Sequence, residues 1–193
     1  MGDADTFPRL LRKNYEKYGD EKIAMLDKDL GIWQPYTWGD YYEKVKYFYL
    51  GLVSLGFEVG DKIAILGETK PEMYWAELAT QVGRGAAVGI FTDCLPEEVK
   101  YFVEHSDSKF LVAYDQEQAD KGLKIKDELP LLKKIIYCDP KGLWDYDDPI
   151  LISFDQVLSL GEGYEKSHPD LFEKSIEAGD AEDICVYCYT SGT

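Results

Sequence analysis

DKIAILGETKPEMYWAELATQVGRGAAVGIF, residues 61–91, is the stretch that decides the fold. It opens on the continuous apolar run Ile63–Leu66 and then offers Thr69, Pro71 and Glu72 as the start of a helix. Trp75, Leu78, Ala79 and Val82 follow at helical spacing, and a second apolar run begins at Ala86. Strands that are apolar throughout, rather than alternating, are buried on both faces. Two of them joined by a helix must run parallel, because a crossover returns the chain to the same end of the sheet. The stretch is therefore a β-α-β unit.

The pattern continues downstream. PEEVKYFVEHS (96–106) reads as a helix with Val99, Phe102 and Val103 inward, KFLVAY (109–114) as a strand, and residues 115–132 as a polar, mostly helical crossover. KKIIYCD (133–139) is a strand, Asp139–Pro149 a loop, SFDQVLSLG (153–161) and PDLFEKSIEAG (169–179) helices, and DICVYCY (183–189) a last strand. The runs after Asp61, Ala86, Lys109, Lys133 and Asp183 are expected to form one mainly parallel sheet with helices on both faces, an α/β fold. Upstream, FPRLLRKNYEKY (7–18) is a short helix closed by Gly19, and two extended segments turn at Asp29-Leu30-Gly31 with Pro35 suited to an edge. Thr37 and Asp40 then have the spacing of a capping box. Tyr41, Val45, Phe48, Leu52 and Leu55 repeat on one face of the helix that follows.

A formal net charge of −16, spread along the 193 residues, repels phosphate backbones and argues against nucleic acid as a partner. No apolar run is long enough to cross a bilayer, and the first residues lack a secretory pattern. Cys185 and Cys188 form a Cys-x-x-Cys, but no second pair accompanies it and neither His105 nor His168 stands at ligand spacing. Both cysteines are expected to be buried structural residues, and a reducing cytoplasm is the expected compartment.

The chain closes on Thr190-Ser191-Gly192-Thr193, directly after the last apolar run. Open parallel sheets bind ligands beyond the carboxyl ends of their strands. There, glycine lets backbone N–H groups turn toward a ligand, and hydroxyls add hydrogen bonds to phosphate oxygens. The Walker spacing is absent, and on residues alone an ordinary turn rich in Ser, Gly and Thr fits as well.

With its context, YTSGT (189–193) resembles the start of the phosphate-binding loop of the AMP-forming acyl-CoA synthetase (adenylate-forming) superfamily, whose loop continues Thr-Gly-x-Pro-Lys-Gly. YTWGDYYEKVKYFYLGLVSLGFEVGDKIAILGETKPEMYWAELA (36–79) is similar to the family's early segment. GRGAAVGIF (83–91), LPEEVKYFVEHSDSKFLVAYDQEQADK (95–121) and YDDPILISFDQVLSLG (146–161) look most like its long-chain fatty acid–CoA ligases.

The resemblance implies the N-terminal part of a longer enzyme. Such an enzyme activates a carboxylic acid with ATP and Mg2+ to an acyl-adenylate and passes the acyl group to coenzyme A. Its partners are small molecules, and its place is the cytoplasm, with peripheral membrane attachment open. Thr190, Ser191, Gly192 and Thr193 correspond to the half-loop that holds phosphates by hydrogen bonding. No residue present takes a catalytic role, and the 193-residue chain by itself is expected to be inactive. Lys121 and Lys124 stand where some relatives touch a coenzyme A phosphate, but the matching motif is not preserved and they read as solvated lysines. Leu95 replaces the Thr or Ser that many relatives place before the Pro-x-Glu of a helix start.

The resemblance also divides the chain into a helix, hairpin and helix over 1–58, which in the family packs on a downstream subdomain, and a parallel α/β subdomain over 59–193. The Tyr41–Leu55 stripe is then expected to lie partly uncovered and to drive self-association. The competing readings are an adenylating enzyme for a short-chain, aryl or amino acid, and a non-catalytic nucleotide-binding or interaction module.

Overall fold

A computed structural model of the chain describes residues 5–190. Its centre is a six-stranded sheet of β3 (Lys62–Leu66), β4 (Ala86–Ile90), β5 (Ser108–Ala113), β6 (Lys134–Tyr137), β7 (Leu151–Ser153) and β8 (Val186–Tyr187). The strand order is β7-β6-β5-β3-β4-β8 and every pairing is parallel, as the uniformly apolar runs require. The five expected strands are all present. β7 is an addition, lying between the expected loop ending at Pro149 and the expected helix from Ser153. β8 pairs over two residues only, Ala87↔Val186 and Val88↔Tyr187, much less than the seven-residue run.

Alternate residues of the central strand feed two different cores, as the two-residue period of a strand dictates. Ile63 joins Phe110, Val112 and Ile136 against α1 (Phe7–Tyr18), α2 (Trp38–Ser54), α3 (Pro71–Val82), α6 (Phe154–Glu165) and α7 (Leu171–Ala178). Ala64 and Leu66 join Leu111, Ala113 and Ile135 against α4 (Pro96–His105) and α5 (Gln116–Ile125). All of these strand residues are fully buried.

α2 starts at the expected capping box. The Thr37 hydroxyl accepts from the Asp40 amide at 3.0 Å, and the Asp40 carboxylate accepts from the Thr37 amide at 2.7 Å. Thr69 does not cap α3, whose N-cap position is Lys70 without a side-chain hydrogen bond.

The centre of the α2 stripe, expected to lie partly uncovered, is covered, while its ends Tyr41 and Leu55 are half-buried. Val45, Phe48 and Leu52 are all 0% exposed, sealed within the chain by α3 and α6. What permits this is a close helix crossing. A Cβ at Gly51 would stand 2.1 Å from the Val157 carbonyl oxygen, and one at Gly161 1.9 Å from that of Tyr47. Two facing glycines let α2 and α6 touch backbone to backbone, and the Phe48 and Phe154 rings stack beside the crossing at 4.2 Å.

The hairpin of β1 (Ile23–Asp29) and β2 (Ile32–Thr37) is antiparallel and separate from the main sheet. One face docks through Tyr36, edge-on to Trp75 at 5.2 Å, and through Asp27, which pairs with Lys70 at 3.2 Å. Its turn residues Leu30 and Gly31 both have positive φ, 46° and 83°. The outer residues Leu26 and Trp33 are exposed.

Candidate functional site

The β8 ladder runs parallel to β4, so the chain leaving Tyr187 emerges at the carboxyl end of the sheet, where a ligand-binding loop was expected from the sequence. Thr190 lies there, exposed to solvent. Ser191, Gly192 and Thr193, the other three expected phosphate-binding residues, lie outside the described residues.

A strand of two paired residues is a weak anchor, and side chains hold β8 at both ends. At its amino end the Arg84 guanidinium forks onto Asp183, with Nε donating at 2.7 Å and Nη2 at 2.9 Å. The same carboxylate accepts from the Asp180 amide at 2.9 Å. The Arg84 hydrogen bonds hold the Asp183 carboxyl below its ordinary value, so the fork is charged throughout the neutral range. At the carboxyl end the Tyr189 ring packs on α4, with its hydroxyl 2.7 Å from His105 Nδ1. Burial, and then the nearby Tyr101 and Tyr187, push the Tyr189 phenol upward, which keeps it neutral.

A cleft of about 440 Å³ opens beside this segment, lined among others by Gly67, Thr69, Tyr74, Glu77, Gly89 and Tyr189. Among the described residues no Lys or Arg lines it, and burial raises the Glu77 carboxyl above its ordinary value. Such a surface suits an apolar or planar group. Backbone N–H groups and hydroxyls nearby could donate hydrogen bonds to an anion bound next to it.

A second, more polar cleft of about 500 Å³ lies over the ends of β5 and β6, between Asp27, Lys70, Glu72, Tyr114 and Asp139. Its Lys70 is already committed to Asp27. Among the described residues no three His, Cys, Asp or Glu side chains come together as a metal-ligand set.

The remaining sequence-level candidates divide. Lys124 is exposed beside Glu97, as a solvated lysine should be. Lys121 is not solvated: its ammonium donates to the Thr92 carbonyl at 2.6 Å and to Gln118 Oε1 at 3.0 Å, and pairs with Glu117 at 3.1 Å. It fastens α5 to the segment after β4. Leu95 loses only half a cap, since its amide donates to Glu98 at 2.7 Å.

The expectation of two buried cysteines is corrected. Cys185 is half-buried and Cys188 exposed, because β8 is an edge strand with nothing on its outer side among the described residues. Sequence reading gave Arg84, His105 and Tyr189 no such role: each lies inside a stretch quoted for the family resemblance, but nothing in the sequence shows that they meet.

Comparison with known proteins gives one consistent answer. The chain matches a family model described as AMP-binding enzyme over residues 11–193. It is 29% identical over 188 residues to the long-chain-fatty-acid–CoA ligase ACSBG2 of Xenopus laevis, covering 97% of this chain and 25% of that protein. To ACSBG2 of Gallus gallus it is 31% identical over 189 residues, covering 97% and 24%. Among solved structures, the anthranilate CoA ligase AuaEII, in complex with anthranoyl-AMP, shares the fold. The TM-score is 0.71 at 20% identity, over 96% of this chain and 32% of that one. The chain thus spans about a quarter of the length of the curated relatives it matches.

Proposed function

The chain belongs to the AMP-binding enzyme family, and from that premise we propose that it contributes the first part of a ligase joining long-chain fatty acids to coenzyme A. The observation that carries the long-chain reading is the similarity to long-chain-fatty-acid–CoA ligases along 97% of the chain. In the first step an oxygen of the fatty carboxylate bonds to the α-phosphorus of ATP, and the bond to the bridging oxygen breaks to release pyrophosphate. In the second, the coenzyme A thiolate bonds to the acyl carbon and AMP leaves with the bonding pair.

The first step brings a carboxylate against a triphosphate, so it needs hydrogen-bond donors around the phosphates and in-line placement of the attacking oxygen. Thr190, Ser191, Gly192 and Thr193 are assigned the donor role toward the β- and γ-phosphates. They bind and orient, and none supplies a nucleophile or a base. Magnesium, when bound with the nucleotide, would offset phosphate charge.

The test is pyrophosphate release by the full-length gene product with ATP, coenzyme A and acids of graded chain length. Release that rises with long-chain fatty acids is expected. Release driven by short-chain, aryl or amino acids would replace the substrate class, and none with any acid would overturn the activation chemistry.

A further inference from the structure

We infer that His105 is a positioning residue for the nucleotide's phosphates: with Tyr101 and Phe102 it clasps the Tyr189 ring and so sets where the backbone enters Thr190. The inference rests on the phosphate-binding role assigned above to Thr190–Thr193.

The need for a clasp follows from the sheet. The β8 ladder stops at Tyr187, so the register that fixes the strand does not extend to the residues that carry the loop. Cys188 is exposed and offers no anchor. Tyr189 is the last large side chain before the loop, and its contacts are with α4. Its ring centroid lies 4.7 Å from that of Phe102, 5.7 Å from the imidazole and 6.4 Å from Tyr101, the last two edge-on. The hydrogen bond to His105 Nδ1 closes the contact at 2.7 Å.

The platform is itself well held. Residues 101, 102 and 105 share one face of α4, while Val99 and Val103 bury the opposite side in the core. Tyr101 stacks on the imidazole at 5.3 Å and 26°, which orients the ring for Tyr189. Just past the helix end, the buried Ser106 hydroxyl donates to the Phe102 carbonyl at 2.6 Å and meets Ser108 Oγ at 2.7 Å, locking α4 to the start of β5. The bond survives either state of the imidazole. A ring with its proton on Nε2 alone accepts from the phenol at Nδ1, and one protonated at Nδ1 donates to the phenol oxygen.

The chemistry predicts which replacements work. An Asn amide can stand where Nδ1 stands, whereas Ala removes both the ring and the bond. The experiment has two arms. In the full-length ligase, His105→Ala is expected to raise the KM for ATP roughly tenfold, the cost of ordering about one more backbone residue on binding. kcat should change much less. Tyr189→Phe should show a smaller rise in the same parameter, and His105→Asn should restore it to near the native value.

In the 193-residue chain, amide exchange at Thr190 should quicken in His105→Ala and return in His105→Asn. Unchanged Thr190 exchange in His105→Ala overturns the clasp, whatever the enzyme does. Quickened exchange with an unchanged KM for ATP overturns the link to the nucleotide while leaving the ligase reading intact. A native enzyme that releases no pyrophosphate overturns the ligase reading and the nucleotide role together, and Thr190 exchange alone then decides the clasp.

Discussion

Replacing Gly161 by alanine should damage the fold more than any comparable change on the same helix. The added Cβ would lie 1.9 Å from the Tyr47 carbonyl oxygen and 3.0 Å from the Gly51 nitrogen. Carbon and oxygen rarely approach closer than about 3.3 Å, so the methyl cannot be accommodated in place. Residues 47 and 51 are an i, i+4 pair, so the methyl intrudes on a backbone hydrogen bond of α2, which has no rotamer to yield. The helices must separate, and the Phe48–Phe154 stack and the fully buried Val157 separate with them. Overpacking of this kind costs about 1–3 kcal/mol, and an obstacle made of backbone puts it near the upper end. Helix propensity returns about 1 kcal/mol for Gly→Ala, leaving a net loss near 2 kcal/mol. For a domain of this size that lowers the unfolding midpoint by roughly 4–8 °C. Gly163 is the internal control: it lies two residues on in α6, where an added methyl would meet nothing within 4 Å, so Gly163→Ala should raise the midpoint. Gly51→Ala meets the Val157 carbonyl at 2.1 Å and should resemble Gly161→Ala, with the double variant costing less than the sum because the helices part only once. Thermal unfolding followed by circular dichroism decides it. A Gly161→Ala chain as stable as the native one would refute the backbone crossing.

Other consequences can be checked separately. Leu30 holds φ 46° at an 89% exposed turn position, which costs a residue with a bulky side chain about 1 kcal/mol; Leu30→Asn should therefore slow amide exchange across the hairpin roughly fivefold, and faster exchange would contradict the turn. Burial raises the Glu77 carboxyl, so the stability it allows is complete below the ordinary value of 4.5 and is lost as pH rises through the higher folded-state value. Glu77→Gln should thus raise the unfolding midpoint near neutral pH and match the native chain at acidic pH, whereas a lower neutral midpoint would reverse the sign. The 193-residue chain alone should release no pyrophosphate with oleate and ATP, since it spans about a quarter of its curated relatives; turnover above a buffer blank that depends on the fatty acid would count against this.

The parallel sheet was legible because its signal is local. Ile63–Leu66, Ala86–Ile90 and the runs around Phe110 and Ile135 are each apolar on both faces, a pattern that suits short strands covered by helices on either side. β7 escaped because three half-buried residues leave no periodicity to detect. The covering of α2 escaped for a different reason. In sequence, Gly51 and Gly161 only weaken their helices, and their use appears when the two backbones meet. A stripe such as Val45, Phe48 and Leu52 says that something covers it, never what.

The end of the chain shows the same division between local and assembled information. Thr190-Ser191-Gly192-Thr193 could be picked out by residue type, and the place of Thr190 at the carboxyl end of a strand follows from topology. What aims it could not be read in advance, because the strand before it pairs over only two residues and cannot hold the segment by itself. The missing rigidity comes from side chains distant in sequence, Arg84 on Asp183 at one end and His105 on Tyr189 at the other. No motif marks either pairing, because each joins residues more than eighty positions apart. A short edge strand of this kind is held by such clips. The residues to look for are long or aromatic side chains on the neighbouring helix end and on the turn before the adjacent strand.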